Sequence, residues 1–365
     1  MKIQDIISFL EILAPLSLQE SYDNAGLLTG NADWQCSGII TTLDATEAVV
    51  AEAMENNCNL IVAHHPIIFS GLKKITGKNY VEKTIIKALK NDIAIYAIHT
   101  NLDNVFAGVN GEMADKLGLI NREILRPKKG VLKKLVIFVP IAQAENLKNS
   151  LFNAGAGNIG KYSECSFALE GKGTFKAGAN AAPFVGTIGE RHIENEIRVE
   201  VIYPEWNEKA ILQAMHTAHP YEEVAHDIYI LDNNLQDFGS GLTGELPAAI
   251  SEMELLHKLK SAFGLSVIRY TPLLGRQVKK IALCGGAGSF LINDAVACGA
   301  DFYITGDVKY HEFFDANDKL VIADIGHYES EQFTIDLLFN NLSEKFPNFA
   351  VLKTGVKTNP VNYYV

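Results

Sequence analysis

The chain has 365 residues, 48% apolar and 21% charged, which is room for roughly two or three globular domains and excludes a disordered chain. Against 43 Asp and Glu stand 32 Lys and Arg, a net charge of −11 spread along the chain, which argues against a large nucleic-acid or anionic-membrane footprint. Cys36, Cys58, Cys165, Cys284 and Cys298 are odd in number and never spaced as C-x-x-C, so free thiols in a reducing cytoplasm are expected. The amino terminus carries Asp5 and Glu11, and no stretch reaches about 18 uncharged apolar residues, so neither a signal peptide nor a membrane span is expected.

From the amino terminus, Ile3, Ile6, Ile7, Leu10 and Leu13 recur at helical spacing and predict an amphipathic helix over 1–13, its acidic polar face suited to packing on the protein body. Residues 20–30 are rich in turn formers, and Asp23-Asn24 ahead of Gly26 reads as a turn, with a role near a site left open. Strand, helix and strand follow at 38–44, 45–56 and 59–63, a succession that implies a right-handed crossover and a parallel sheet. The apolar run Ile61-Val62-Ala63 closes on His64-His65, and Pro66, lacking an N–H, stops the ladder. Ligands in open α/β sheets bind at the carboxyl ends of strands, so two imidazoles there form a candidate metal site; the alternative is one buried histidine beside a solvated one. A helix at 80–90 and a strand at 94–98 repeat the pattern and run into His99-Thr100-Asn101-Leu102-Asp103, where Asp103 is either a cap or a ligand. A helix is expected at 108–117.

The short basic run Arg126-Pro127-Lys128-Lys129-Gly130 marks a boundary. Beyond it, strands at 134–139, 162–169, 193–202 and 224–231 and helices at 142–153 and 207–217 give the ferredoxin-like order, an antiparallel sheet with two helices on one face. A turn-rich stretch over 171–183 separates the second and third strands. The expected organisation is therefore a domain at 128–234 inserted between 1–127 and 235–365. Within it, His219-Pro220-Tyr221-Glu222-Glu223 reads as a turn before a strand or a second ligand site, and Lys161, Lys172 and Lys176 as solvated loop residues.

Past residue 233 the first rhythm resumes. Strands at 280–284, 301–305 and 320–325, a glycine turn at 285–289 and helices at 290–298 and 332–346 are predicted, with Asp307 and His311 following the second of these strands. The succession resembles 38–65, so the predicted fold is a split α/β domain with a largely parallel sheet built from two similar halves, plus the inserted α+β domain. The glycine turn is either a tight strand-to-helix connection or a phosphate cradle. His327 and Glu331, four apart at a predicted helix start, would share one face and converge if the helix begins that early; the alternative is a plain surface pair. His64, His65, Asp103, His327 and Glu331 all follow predicted strand ends; three imidazoles and two carboxylates suit two divalent ions with open positions, as in metal-assisted hydrolases. Such mixed donors suit zinc, iron and manganese alike. Consecutive strand residues face opposite sides and Pro66 keeps His65 extended, so one histidine per metal is expected.

In their order, His64-His65-Pro66, His99-Thr100-Asn101-Leu102-Asp103, Thr305-Gly306-Asp307 with Tyr310-His311, and Gly326-His327-Tyr328-Glu329-Ser330-Glu331 resemble the Nif-three-like family. That family is named for NGG-one-interacting factor three and is also labelled as GTP cyclohydrolase I type 2 homologues. The resemblance spans nearly the whole chain and implies that His64, His65, Asp103, His327 and Glu331 hold a dinuclear metal centre. It also implies a toroidal homohexamer with metal sites opening to its interior. Residues 218–224 resemble the CutA- and PII-like insert of the longer bacterial members, while Tyr22 stands where many members place a tryptophan. His99 and His311 are candidates to move a proton or orient a ligand, with Asp307 positioning one of them; the alternative is that all three only stiffen strand-end loops. No Ser or Cys nucleophile motif stands near a base. The expected function is a metal-dependent hydrolase acting through activated water on a nucleotide or other small phosphorylated or heterocyclic substrate. The alternative is a metal-binding regulatory or scaffold ring whose insert senses a small ligand.

Overall fold

The structure is a computed structural model that describes residues 1–364. It divides into two compact units, Met1–Pro127 with Asp237–Val365, and Lys128–Gln236. Among the described residues no helix is long and apolar enough to cross a membrane.

The first stretch runs α1 (Ile3–Leu13), β1 (Gly26–Thr29), β2 (Ile39–Asp44), α2 (Glu47–Glu55), β3 (Leu60–His65), α3 (Tyr80–Lys90), β4 (Ala94–Ala97), the single turn α4 (Thr100–Asp103), α5 (Val109–Leu117) and β5 (Ile120–Lys128). Local chemistry sets these bounds. Thr46 and Asn79 accept the N–H groups of Val49 and Glu82 and so start α2 and α3, and α5 stops where Gly118 takes a left-handed φ of 64°. Helix α1 buries Ile3, Ile6, Ile7 and Leu10 along one face.

The second unit holds β6 (Leu132–Pro140), α6 (Ala144–Asn153), β7 (Phe167–Lys176), β8 (Arg191–Pro204), α7 (Glu208–Ala218) and β9 (His226–Leu231). Its sheet has the order β7-β8-β6-β9 with every neighbour antiparallel, the ferredoxin-like arrangement. Leu135, Ile137, Val139, Val199, Val201 and Tyr203 point to one face and pack on Leu147, Leu151, Ile211 and Met215 of the two helices. Strand β7 lies later than the predicted 162–169 and takes in part of the stretch read as turns. Gly171 and Gly173, which signalled a turn, pair in register with Glu196 and Glu194; a strand without side chains at alternate positions shows no alternation to read.

The chain returns to the first unit with β10 (Leu235–Ser251), α8 (Glu252–Phe263), β11 (Arg269–Tyr270), β12 (Gln277–Ala287), α9 (Ile292–Ala297), β13 (Phe302–Gly306), β14 (Val321–Asp324), α10 (His327–Glu331), α11 (Thr334–Lys345) and β15 (Val351–Lys353). A reciprocal cap between Ser251 and Glu254 begins α8.

Where the sequence suggested one largely parallel sheet, this unit contains two, β1-β4-β3-β2-β15 and β11-β14-β13-β12-β10-β5. Each has a parallel centre, β4-β3-β2-β15 and β14-β13-β12, and antiparallel flanking strands, because a helical crossover links strands only within one half. The halves exchange edges: β5 from before the insert borders the second sheet, and β15 from the chain's end borders the first. Both sheets are covered on both faces. Leu60 and Val62 feed one core while Ile61 and Ala63 feed another, and Ile281 and Leu283 alternate with Ala282 and Cys284 in the same way. That double burial is why these strands read as unbroken apolar runs.

Candidate metal centre

Strand β3 ends on His64, fully buried, and His65, which retains partial exposure. The α4 turn after β4 supplies Asp103, and α10, opening directly after β14 and Gly326, supplies His327 and Glu331 one helical turn apart. All five side chains converge, drawn from both sides of the insert in sequence.

Their contacts fall into two sets that share Glu331. On one side His64 Nε2 lies 3.6 Å from Asp103 Oδ1 and 3.8 Å from Glu331 Oε1. On the other, His65 Nε2 lies 2.9 Å and His327 Nε2 3.1 Å from Glu331 Oε2, and the two imidazole nitrogens are 3.3 Å apart. The adjacent histidines thus face different sets, as expected of neighbours on an extended strand.

The opposite ring nitrogens explain which lone pairs point inward. His64 Nδ1 donates to Ile98 O at 2.8 Å, His65 Nδ1 to Asp44 Oδ1 at 2.8 Å, and His327 Nδ1 to Asp307 Oδ2 at 2.8 Å. With Nδ1 holding the proton of a neutral ring, each Nε2 presents a lone pair, the tautomer that metal-binding histidines adopt. His65 and His327 therefore aim lone pairs at each other and at a carboxylate, which requires a cation among them, either a proton or a metal. His64 Nε2 and Asp103 Oδ1 are buried without any hydrogen-bond partner among the described residues. Their separations are too long for a hydrogen bond but match the roughly 3.4 Å between two donors each about 2.1 Å from a tetrahedral ion. By donor type, tautomer and unpaired atoms, these residues fit divalent metal.

In the absence of metal, protons perform part of that role. Burial pushes Asp103 well above the usual carboxylate range, and the Glu331 charge adds to it. Burial works the same way on Glu331 but is outweighed by His327, His64 and His65, which hold it well below that range. Burial lowers His64. It also disfavours the cations of His65 and His327, yet Asp44 and Glu331 carry the first to about 10, and Glu331 with Asp307 the second to about 9.

Glycines make room for the shared carboxylate. A Cβ on Gly286, which has φ 62°, would stand 2.3 Å from Glu331 Oε1. The phosphate-cradle reading of this turn does not hold for Gly285, Gly286 and Gly288, whose N–H groups already donate to Asn110 Oδ1, Ser330 Oγ and Thr305 Oγ1.

His99 joins the edge of the cluster, its ring 5.3 Å from that of His64 and 5.5 Å from that of His65. Its Nδ1 pairs with Asp23 Oδ1 at 2.8 Å, and Asp23 also accepts from the backbone and hydroxyl of Thr100. Burial raises the Asp23 carboxyl, but His99 and Thr100 together bring it down to about 2. The 20–30 loop is therefore part of the site. Asp307 orients His327, and not His99 or His311 as the sequence reading had it, from a left-handed backbone at φ 54° that Asp tolerates better than most residues. His311 is not brought in: it is exposed on the 3-10 turn Tyr310–Ala316, with its ring against Tyr310 and Phe314. The insert's His219 is also occupied, Nε2 donating to Phe138 O and Nδ1 accepting the Tyr221 N–H, so the box at 219–223 is a pinned turn.

A cavity of about 370 Å³ opens on the centre, bordered by Tyr22, Phe69 and Phe290 and reaching His65, His99 and His327. Among the described residues no Lys or Arg lines it.

The sequence profile of the Duf34/NIF3 (NGG1p interacting factor 3) family matches residues 1–360. The chain belongs to the Duf34/NIF3 family. Among its NIF3 relatives, a Bacillus subtilis (strain 168) protein named GTP cyclohydrolase 1 type 2 homolog is 40% identical over 327 residues, 89% of this chain and 88% of its own length. A protein of the same name from Halalkalibacterium halodurans is 38% identical over 365 residues, 99% of this chain and 98% of its own. The crystal structure of a Bacillus cereus protein related to NIF3 superposes with a TM-score of 0.86 at 38% identity, covering 100% of this chain and 99% of its own.

Proposed function

We propose that this NIF3 protein binds two divalent cations that share Glu331, one with His64 and Asp103 and the other with His65 and His327, and that it hydrolyses a small heterocyclic substrate. The observation that carries the reading is the pair of donor sets on opposite oxygens of one buried carboxylate, with His64 Nε2 and Asp103 Oδ1 of the first set left without a hydrogen-bond partner among the described residues and His65 and His327 of the second converging on Glu331 Oε2. Zinc, iron or manganese would supply Lewis acidity there and lower the pKa of water. Asp44 and Asp307 hold the tautomers of His65 and His327, and Gly286 keeps the approach to Glu331 open. His99, kept in place by an ionised Asp23, stands at the cavity wall to take or return a proton.

The name carried by the relatives makes GTP the first substrate to test. The cavity favours the ring over the triphosphate, since aromatic side chains border it and cationic ones do not. The test is protein reconstituted with zinc, iron or manganese and offered GTP, free purines, other cyclic amides and simple phosphoesters. Turnover in wild type that disappears in Glu331→Gln, together with metal, supports the reading. Two equivalents of metal with no turnover on any of these substrates refutes the catalytic part and favours a regulatory or scaffold ring.

A further inference from the structure

The second unit has a large cavity of its own, about 1110 Å³, on the sheet face that α6 and α7 leave uncovered. Its floor follows from strand register. Leu169, Gly171, Gly173 and Phe175 of β7 share this face with Arg198, Glu196, Glu194 and His192 of β8. The absence of a side chain at Gly173 is used: a Cβ there would lie 2.0 Å from Glu196 Oε2, so the carboxylate rests in the space that glycine vacates. Glu196 is only 8% exposed, lines the cavity, and has no Lys, Arg or His within ion-pair distance among the described residues.

Three cationic side chains, Lys172, Lys176 and Arg198, also line the cavity, yet none pairs with Glu196. Arg198 pairs with Glu200 at 2.9 Å. Lys172 and Lys176 contribute to the cavity lining, but they alternate with Gly173 and Phe175 along the strand and neither pairs with Glu196. Beside Glu196 lies the buried Tyr221 hydroxyl, which makes no hydrogen bond of good geometry to any group. Burial raises the Glu196 carboxyl, and the Tyr221 hydroxyl works against that rise.

The wall is aromatic. The rings of Phe175 and Phe184 flank that of Tyr221 with centroids 6.1 and 6.2 Å away, inclined by 59° and 48°, so they form a concave surface rather than a stack. His219 fixes the turn that presents Tyr221, and Glu222 ties the overlying loop by accepting the Ala182 N–H at 2.8 Å. A buried carboxylate without a counter-ion, a buried hydroxyl beside it and a bowl of aromatic faces together select for a positive charge on an organic body. We propose that this cavity binds a small organic ammonium compound, its charged nitrogen held by Glu196 and the Tyr221 hydroxyl and its apolar part lying against Phe175, Tyr221 and Phe184. The site is separate from the metal centre and stands whether or not that centre is catalytic.

The test is isothermal titration of the full-length, metal-loaded protein with phenethylammonium, agmatine and tetramethylammonium chlorides, with phenethyl alcohol as the neutral control. Saturable binding of at least one cation, weakened at least tenfold in Glu196→Gln while metal content is unchanged, is the expected result, with the alcohol at least tenfold weaker than phenethylammonium. No saturable binding by any of the three cations, equal affinity for the alcohol, or unchanged affinity in Glu196→Gln overturns the proposal. Should Glu196→Gln fail to fold, Phe184→Ala decides. Its ring is 55% exposed and dispensable to the core, so the variant should fold and bind at least threefold more weakly; wild-type affinity there overturns the proposal too.

Discussion

Gly286→Ala provides a severe test of the centre because it alters no ligand. The new methyl would sit 2.3 Å from Glu331 Oε1, where ordinary contact begins at 3.4 Å. To relieve the overlap the carboxylate has to retreat by about 1 Å, twice the roughly 0.5 Å tolerance of a working constellation. Because Glu331 faces both donor sets, the displacement harms both at once. The expected loss is at least the 10- to 100-fold in metal affinity typical of disturbing a ligand's support. The left-handed backbone at φ 62° adds about 1–2 kcal/mol of destabilisation for alanine, visible as a lower Tm. Elemental analysis and competitive zinc titration of purified protein, alongside a thermal melt, provide the readout. A folded variant with wild-type metal content and affinity refutes the assignment of Glu331 as the shared ligand.

Asp44→Asn and Asp307→Asn are expected to weaken metal binding about 10- to 100-fold without unfolding the chain, since each carboxylate fixes a ring tautomer; competitive titration measures it. At pH 7 the metal-free protein has His65 and His327 cationic, with values raised to about 10 and about 9, while burial holds the Asp103 carboxyl well above the usual range. Metal must displace those protons, so apparent affinity should climb as pH rises toward 9, and calorimetry in buffers of different ionisation heat should register proton release; affinity flat across that range would contradict it. His311→Ala is expected to keep full metal content by elemental analysis, because its ring lies outside the centre. Chelation should lower Tm reversibly, and a melt unaffected by chelator would count against bound metal.

The five residues that converge were legible because their signals are local. A proline closes β3 immediately after two histidines, and the spacing of His327 and Glu331 fits one helical turn. Their supports were not, for physical reasons. Asp44 ends β2 and meets His65 only because parallel register places the two strand ends side by side. Asp23 sits in a loop whose composition any turn would share, and its partner lies 76 residues away. Similarity of boxes drew His311 and Asp307 together, yet the left-handed backbone at Asp307 sends its carboxylate to His327 instead. The second sheet's edges escaped notice because β5 ends in the basic stretch read as a linker and β10 carries Gly239, Gly241 and Gly244, which interrupt any alternation.

The bond between His65 and Glu331 spans 266 residues, and everything in the second unit lies between its ends. A ribosome adding about 5–20 residues per second needs roughly 13–53 s to travel that distance, so the paired histidines exist long before the acid that completes them. Until then an ion captured by the histidines would have an incomplete set of ligands and would leave readily. Once α10 arrives, an ion held by the proposed site would fasten β3 to the far end of the chain and stabilise only the folded form. On the proposed metal assignment, retention would become a record of finished synthesis: a chain cut short before residue 331 would carry the histidines without Glu331 to complete their set.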